Sequence, residues 1–272
     1  VPNFGDITKI TEVPEHDLFT YSFPCQDIST SGYQQGLRQN SGTSSSTLWA
    51  CESIIAQYRP SVLLLENVKN LVSKRYKADF DKWLKILEGL GYTNYYKVLN
   101  AKDFGVPQNR ERVFVVSLLN NRTFEFTKGF PLDSCLADYL DETPDESCFV
   151  TEYTKSRIVL DREDLTEKSD TIHLLGGIPR PTNPNIFGQD TTVYSIKGVS
   201  PAITTKHPHR VIDEKGILRK LTGSECLRLM GLNEQEIQAV VSTSKYKTHH
   251  YFLAGNSIVV PVLENIFKQI YQ

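Results

Sequence analysis

The chain lacks any long hydrophobic run. Its most apolar stretches, such as Val62-Leu63-Leu64-Leu65 and Ile258-Val259-Val260, stop far short of the roughly 18 to 20 residues a membrane span requires. The N-terminus, Val-Pro-Asn-Phe-Gly-Asp, has neither a basic start nor an apolar core, so no secretory signal is visible. No membrane partner is expected, and the expected location is the cytoplasm. Charge of one sign is also lacking: 30 Lys and Arg against 32 Asp and Glu leave a net charge of −2. That excludes a uniformly basic nucleic-acid coat but not a local basic face. The five cysteines, Cys25, Cys51, Cys135, Cys148 and Cys226, form no C-x-x-C pair. A disulfide framework and a zinc knuckle are thereby disfavoured, and reduced thiols are expected. The only methionine is Met230 and the first residue is Val1, so a preceding segment is expected. No internal repeat is present.

What the 272 residues do contain is a regular alternation of apolar runs and helical periodicity from Asp17 to about Leu119. That alternation predicts an α/β fold built from βαβ units on a largely parallel sheet. Leu18 to Phe23 reads as a strand, followed by a polar loop to Ser46. Thr47 to Tyr58 reads as a helix ended by Pro60, and Val62 to Leu65 as a buried strand. Phe80, Trp83, Leu84, Leu87 and Leu90 predict a second helix, with Gly91 at its C-terminal turn. Tyr95 to Leu99 and Val113 to Leu118 follow as strands. Beyond residue 120 the pattern weakens, and Cys135 to Asp141 gives at most a short helix. Residues 171 to 210 read as a smaller, irregular region in which Arg180, Lys197, Lys206 and Arg210 oppose Asp190 alone. That sign suits phosphates, although a solvated loop would look the same. Thr222-Gly-Ser-Glu225 has capping-box spacing, with Leu221 as the staple residue and Gly231 as the stop, which predicts a helix from Gly223 to Met230. The last helix is expected from Pro261 to Tyr271, with Val262, Leu263, Ile266 and Ile270 on one face and Pro261 at its first position.

Three short motifs carry reactive side chains at strand ends, where open α/β sheets place their ligands. Phe23-Pro24-Cys25-Gln26 sets a thiol directly after a strand. Leu65-Glu66-Asn67-Val68 ends an apolar strand in a carboxylate, which is costly without a task or a partner. Gln108-Asn109-Arg110-Glu111-Arg112 leads into a strand with two arginines two apart, on one face. Each alone has a structural explanation: an inert thiol, a paired carboxylate, a salt-bridged strand entry.

Taken in order with Arg219-x-Leu-Thr-x-x-Glu-x-x-Arg228-Leu-Met-Gly, Gly255-Asn256-Ser257-Ile258 and Pro201-Ala-Ile-Thr-Thr205, these motifs resemble the cytosine-C5 DNA methyltransferase family. The resemblance is to its bacterial restriction-modification type and spans residues 3 to 272. It implies an S-adenosylmethionine-dependent, Rossmann-like sheet with a small irregular target recognition domain. Residues 1–149 would be the catalytic part, 150–218 the target recognition domain, and 219–272 a hinge helix and C-terminal helix returning to the catalytic part. The family's aromatic-x-Gly-x-Gly turn and the acidic residue after it are absent. The resemblance therefore implies an N-terminally incomplete fold, with the missing units either preceding this segment or supplied as a separate polypeptide.

The family's chemistry gives those residue types roles. Cytosine C5 is too weak a nucleophile to take a methyl group until a thiolate adds to C6, and Cys25 would be that nucleophile. Glu66 would hydrogen-bond ring N3, Arg112 would hold O2, and Arg110 would support it or contact the backbone. Asn67 would orient Glu66 near the substrate, and Gln26 and Ser31 would lie near a nucleotide rotated out of the duplex. Asp6 and Ile7 match the segment that meets the adenine of S-adenosylmethionine, and Pro24, Leu48, Asn256 and Ser257 match further positions around that cofactor. Thr192, Val193 and Arg210 would contact DNA. The remaining cysteines are expected to be structural and His249-His250 to lie at the surface. The implied partners are double-stranded DNA and a cognate restriction endonuclease, with S-adenosylhomocysteine as product, no metal and a nucleoid-associated location. Two other readings share these motifs: a non-catalytic DNA-binding or regulatory subunit of a split methyltransferase, and an RNA cytosine-C5 methyltransferase.

Overall fold

The computed structural model describes residues 2–24, 47–181, 183–188 and 190–272. In chain order it begins with β1 (Leu18–Tyr21), α1 (Leu48–Tyr58), β2 (Val62–Val68), α2 (Lys77–Gly89) and β3 (Tyr92–Asn100). Two more strands, β4 (Gln108–Asn109) and β5 (Glu111–Leu119), flank Arg110. The residues fall into two compact units, the first comprising 1–99 and 111–126, the second 100–110 and 127–272.

The first unit is a four-stranded sheet in the order β1-β2-β5-β3. Its inner strands carry apolar side chains on both faces, as the runs Val62 to Leu65 and Val113 to Val116 require. Leu63, Leu65, Val113 and Val115 join Trp83, Phe80 and Ile55 in one core cluster. The single polar atom of Trp83 is satisfied by Tyr21, its Nε1 donating to the phenol oxygen at 3.1 Å. The turn after α2 uses Gly91 at φ 88°, whose N–H closes on the Glu88 carbonyl, as the sequence predicts. One expectation changes. The sheet is mixed: β1 and β2 are parallel, but β5 runs antiparallel to β2 over seven residue pairs. The segment between β3 and β5 holds only a 3-10 turn, Ala101–Phe104, and the two-residue β4, too little chain for the helical crossover a parallel return needs.

The second unit continues with α3 (Glu152–Lys155), β6 (Val159–Leu160), β7 (Leu174–Gly177), β8 (Pro179–Arg180) and β9 (Asn183–Phe187). Then come β10 (Val193–Tyr194), β11 (Ser200–Pro201), β12 (Arg210–Ile212) and β13 (Leu218–Lys220). Residues 171 to 210 are thus more regular than their composition suggests, with strands of two to five residues, too short to show a period. Five strands form one sheet in the order β13-β12-β10-β7-β6. Gly176 makes the β6 pairing possible, because a Cβ there would sit 2.0 Å from the Val159 carbonyl oxygen.

Four helices complete this unit: α4 (Gly223–Arg228), α5 (Glu234–Thr243), α6 (Lys247–Asn256) and α7 (Val260–Ile270). Thr222 and Glu225 form the expected reciprocal capping box. On α7 the buried residues are Val262, Ile266 and Ile270, while Leu263 is half-buried and Pro261 occupies the second helical position. Sequence periodicity does not reveal α5, because Ile237 is its one buried residue. His250 is a correction: it is buried, with its ring over Gly223, where an added Cβ would lie 2.8 Å from Nδ1. Among the described residues no helix is long and apolar enough to cross a membrane.

A buried ion cluster joins the end of the five-stranded sheet to α4. Arg219 is fully enclosed, its Nη1 and Nη2 donating to the two carboxylate oxygens of Glu225 at 2.9 and 2.8 Å, with Asp213 at 3.2 Å from Nε. Breaking such a pair strands a charge in the interior. Glu225→Ala is expected to cost about 3–5 kcal/mol in urea unfolding, and a loss below about 1 kcal/mol would contradict this account.

His209 and His250 are both buried, and burial pushes both below the ordinary value of 6.5. The folded state therefore keeps them neutral, whereas the unfolded chain protonates them near 6.5. Their contribution to stability is complete above that pH and lost as pH falls through and below it. In a series of denaturation curves from pH 7 to pH 5, His250→Asn should flatten the pH slope by up to about one proton. An unchanged slope would refute the assignment.

Candidate active site

Glu66 is the fifth residue of β2, and Arg112 the second of β5. The antiparallel register sets Arg112 opposite Val68 and Glu66 opposite Phe114, so the two side chains are diagonal neighbours on one face of the sheet. They meet as an ion pair, Nε to Oε1 at 3.2 Å, with side-chain exposures of 21% and 14%. Arg112 is further fixed by Nη1 donating to the Glu111 carbonyl at 2.9 Å. The pair thus keeps limited solvent access while its geometry is held from two sides. Arg112 also borders a cavity of about 510 Å³ beyond the end of β2, lined with Val68, Lys69, Ser73 and Glu111, a volume in the range of small-molecule sites.

Asn67 points to the other face. It is buried, its Nδ2 donates to the Phe23 carbonyl at 3.0 Å and its Oδ1 accepts from the Val68 N–H at 2.9 Å. Ser22 adds a second tie, its Oγ donating to the Glu66 carbonyl at 2.8 Å. Ser22-Phe23-Pro24, the segment leading to Cys25, is therefore fastened to the strand end that carries Glu66. This positioning role of Ser22 was not read from the sequence, which shows only a serine after an apolar strand. Cys25, Gln26 and Ser31 lie outside the described residues.

Asp6 caps a short 3-10 turn, its Oδ1 accepting from both the N–H and Oγ1 of Thr8. Those bonds hold its carboxyl below the usual carboxylate range, so it is an exposed anion. Ile7 is half-buried against the core cluster, Pro24 is exposed, and Leu48 is sealed in the core at 1% exposure.

In the second unit Arg110 belongs to neither β4 nor β5, so the two arginines do not share a strand face as their spacing predicts. Its guanidinium is buried and donates to the carbonyls of Ile203, Gly255 and Ser257 at 3.1, 2.8 and 2.9 Å. It organises the turn carrying Asn256, which is exposed, and Ser257, which is half-buried. Gly255 admits this turn, since a Cβ there would lie 2.5 Å from the Thr205 nitrogen. Gln108 does a related task that spacing alone does not reveal: fully buried, it donates to the Leu229 carbonyl at 2.6 Å and accepts from the Ile203 N–H at 3.0 Å. Thr192 and Val193 are both buried, with Thr192 Oγ1 donating to the Gly188 carbonyl at 2.9 Å. Arg210 is also largely buried.

Burial pushes the Cys51 thiol up to about 12 and raises those of Cys135, Cys148 and Cys226. All four read as structural thiols rather than nucleophiles. No group of three or more His, Cys, Asp or Glu side chains among the described residues could hold a metal ion.

A sequence profile of C-5 cytosine-specific DNA methylases matches residues 1–272. The chain belongs to that family. Among its relatives, the type II methyltransferase M2.ScrFI of Lactococcus lactis subsp. cremoris is 42% identical over 99% of this chain and 71% of its own length. The type II methyltransferase M.HhaI of Haemophilus parahaemolyticus is 31% identical over 98% of this chain and 80% of its own. A crystal structure of the Dnmt2 methyltransferase of S. pombe superimposes with a TM-score of 0.67 at 19% identity, covering 96% of this chain and 81% of that one. That likeness concerns the fold, which is that of an S-adenosylmethionine-dependent methyltransferase. As a C-5 cytosine methylase, the protein is a DNA methyltransferase, and its family implies S-adenosylmethionine. The separate N-terminal polypeptide named above as an alternative receives no support from these relatives.

The Asn67 ties make a specific prediction. Asn67→Ala leaves the Phe23 carbonyl without its partner in a buried place, and should cost about 1–3 kcal/mol of stability in denaturant unfolding. The exposed Lys74→Ala serves as the comparison, within about 0.5 kcal/mol of the parent. Equal effects would contradict the role given to Asn67.

Proposed function

We propose that the protein transfers a methyl group from S-adenosylmethionine to C5 of a cytosine rotated out of duplex DNA, through a covalent adduct between Cys25 and ring C6. The observation that carries this reading is the Glu66–Arg112 pair at 3.2 Å, on the strand end to which Ser22 and Asn67 tie the segment before Cys25. N3 and O2 of cytosine are separated by a single ring carbon, so two neighbouring side chains of this kind suit them together.

The residues at the matched cofactor positions mostly fit that group. Asp6 offers a carboxylate oxygen, Oδ2, for an exocyclic amine, Ile7 an apolar flank, and Asn256 and Ser257 polar groups on a turn braced by Arg110. Leu48 departs from that fit, since it is sealed in the core and offers no surface for contact. S-adenosylmethionine supplies an electrophilic methyl group.

The chain's own residues do the rest. Cys25, as thiolate, forms a bond to C6 and pushes the ring's electron pair towards C5. With its carboxyl protonated, Glu66 gives N3 a hydrogen bond or proton, which neutralises charge developing on the ring, and Arg112 opposes charge at O2. Once C5 has taken the methyl group, with S-adenosylhomocysteine as the leaving product, a base removes the C5 proton, the sulfur–C6 bond breaks, and Cys25 is regenerated as thiolate. Because the four described cysteines are buried and their thiols raised, Cys25 is the thiol left for this work. Reaching C6 requires taking the base out of the stack.

Residues 150–218 are assigned to target recognition, and 219–272 to a hinge and return to the catalytic part. The relatives' description as type II methyltransferases supports a restriction-modification role with a cognate endonuclease, and a cytoplasmic, nucleoid-associated location follows from it.

The test is a covalent trap. Incubation of the full-length protein with S-adenosylmethionine and duplex DNA carrying 5-fluorocytosine, whose fluorine blocks elimination, should give a denaturation-resistant adduct that Cys25→Ser abolishes. Glu66→Gln should lower the rate of adduct formation by about 100-fold or more. An adduct that survives Cys25→Ser would overturn the mechanism. A trap on transfer RNA but not on DNA would shift the substrate, and no adduct with either would favour a binding subunit.

A further inference from the structure

Two buried arginines on neighbouring strands of the second unit's sheet have opposite surroundings. Arg219, on β13, is enclosed at 0% exposure with Glu225 and Asp213 on its guanidinium. Arg210, on β12, is buried to 9% exposure, yet Nε and Nη1 are shut off from solvent with no hydrogen-bond partner. No carboxylate among the described residues lies within ion-pair distance of it; Asp190 acts only through its field. An arginine stays charged, so leaving its donors unsatisfied in such a place costs stability.

The strand register adds an independent observation. Arg210 stands directly opposite Lys220 in the antiparallel β12–β13 pair, so the two cations share one face of the sheet, while Arg219 with its carboxylates belongs to the other. Lys220 is half-buried, and its ammonium makes no ion pair or hydrogen bond among the described residues. Like charges directly opposite are destabilising. Two such cations side by side, neither neutralised, form a place for an external anion.

We propose that Arg210 and Lys220 together hold one phosphodiester of the DNA backbone. This inference rests on the methyltransferase reading, which brings duplex DNA to the protein, and adds where and how part of it is gripped. A full anion is favoured over a base edge because two unneutralised cations need a negative charge between them, and a base edge offers only neutral acceptors. With Nε and Nη1 shut off from solvent, the Arg210 guanidinium, held in a strand, meets the phosphate through its remaining nitrogen, Nη2.

The experiment measures duplex binding by the full-length protein across a salt series, using a methylated-site duplex and a scrambled one, for the parent, Arg210→Met, Lys220→Gln and the double variant. Each single change should lower the slope of log affinity against log salt by about one, and the double change by about two, with equal losses on both duplexes. Arg210→Met should leave the thermal midpoint unchanged or raised, because it removes an unpaired buried charge without emptying the space. Three results would overturn the proposal: an unchanged salt slope, a loss confined to one base position in the target, or a lowered midpoint for Arg210→Met, which would mark a structural arginine. A parent protein that methylates no duplex would count against the functional reading itself. A parent that methylates while its variants keep the parental slope would count only against this phosphate contact.

Discussion

The antiparallel register of β2 against β5 is the constraint on which the candidate site depends. It places residue 112 opposite residue 68, and so sets a guanidinium diagonally beside the Glu66 carboxylate on one face. A slip of one residue would turn Arg112 to the face of Leu65 and Val113 and bury a charge in that core cluster. The register is fixed by the inner-strand side chains, Leu63 and Leu65 with Val113 and Val115, which are buried in a single cluster. Packing and chemistry are thus set by the same pairing.

The short segment from Gln108 to Arg112 does several different things in five residues. Gln108 and Arg110 belong to the second unit, where they satisfy backbone carbonyls at Leu229, Ile203, Gly255 and Ser257. Glu111 pairs with Lys69 at 2.7 Å, and Arg112 with Glu66. The interruption between β4 and β5 allows this division, because a continuous strand would send Arg110 and Arg112 to the same side. A motif whose two arginines read as one site is, in the fold, one arginine paired with Glu66 and one that braces backbone carbonyls.

The sequence made some of this legible and hid the rest for physical reasons. Long buried elements such as β2 and α2 show in their apolar patterns, and the Thr222–Glu225 box shows in its spacing, because each is a local property of the chain. The antiparallel direction of β5 is not local, and the two-residue strands of the second sheet carry no period to read. His250 looked like a surface residue beside His249, and only the absent side chain of Gly223 makes room for its ring. The resemblance marked Glu66, Asn67 and Arg112 as candidate site residues, but the ties from Ser22 and Asn67 to backbone carbonyls pair positions 44 residues apart. Charge counting marked residues 171 to 210 as basic, yet the unneutralised pair there depends on cross-strand register with Lys220, outside that stretch.

The central claim is that this arrangement methylates carbon 5 of cytosine in DNA. Its most direct test is nucleoside analysis by mass spectrometry of duplex DNA after incubation with the full-length protein and isotopically labelled S-adenosylmethionine. The account predicts label in 5-methyl-2′-deoxycytidine alone. Label in N4-methylcytosine or N6-methyladenine, or none in DNA under conditions where the protein is folded, would contradict it.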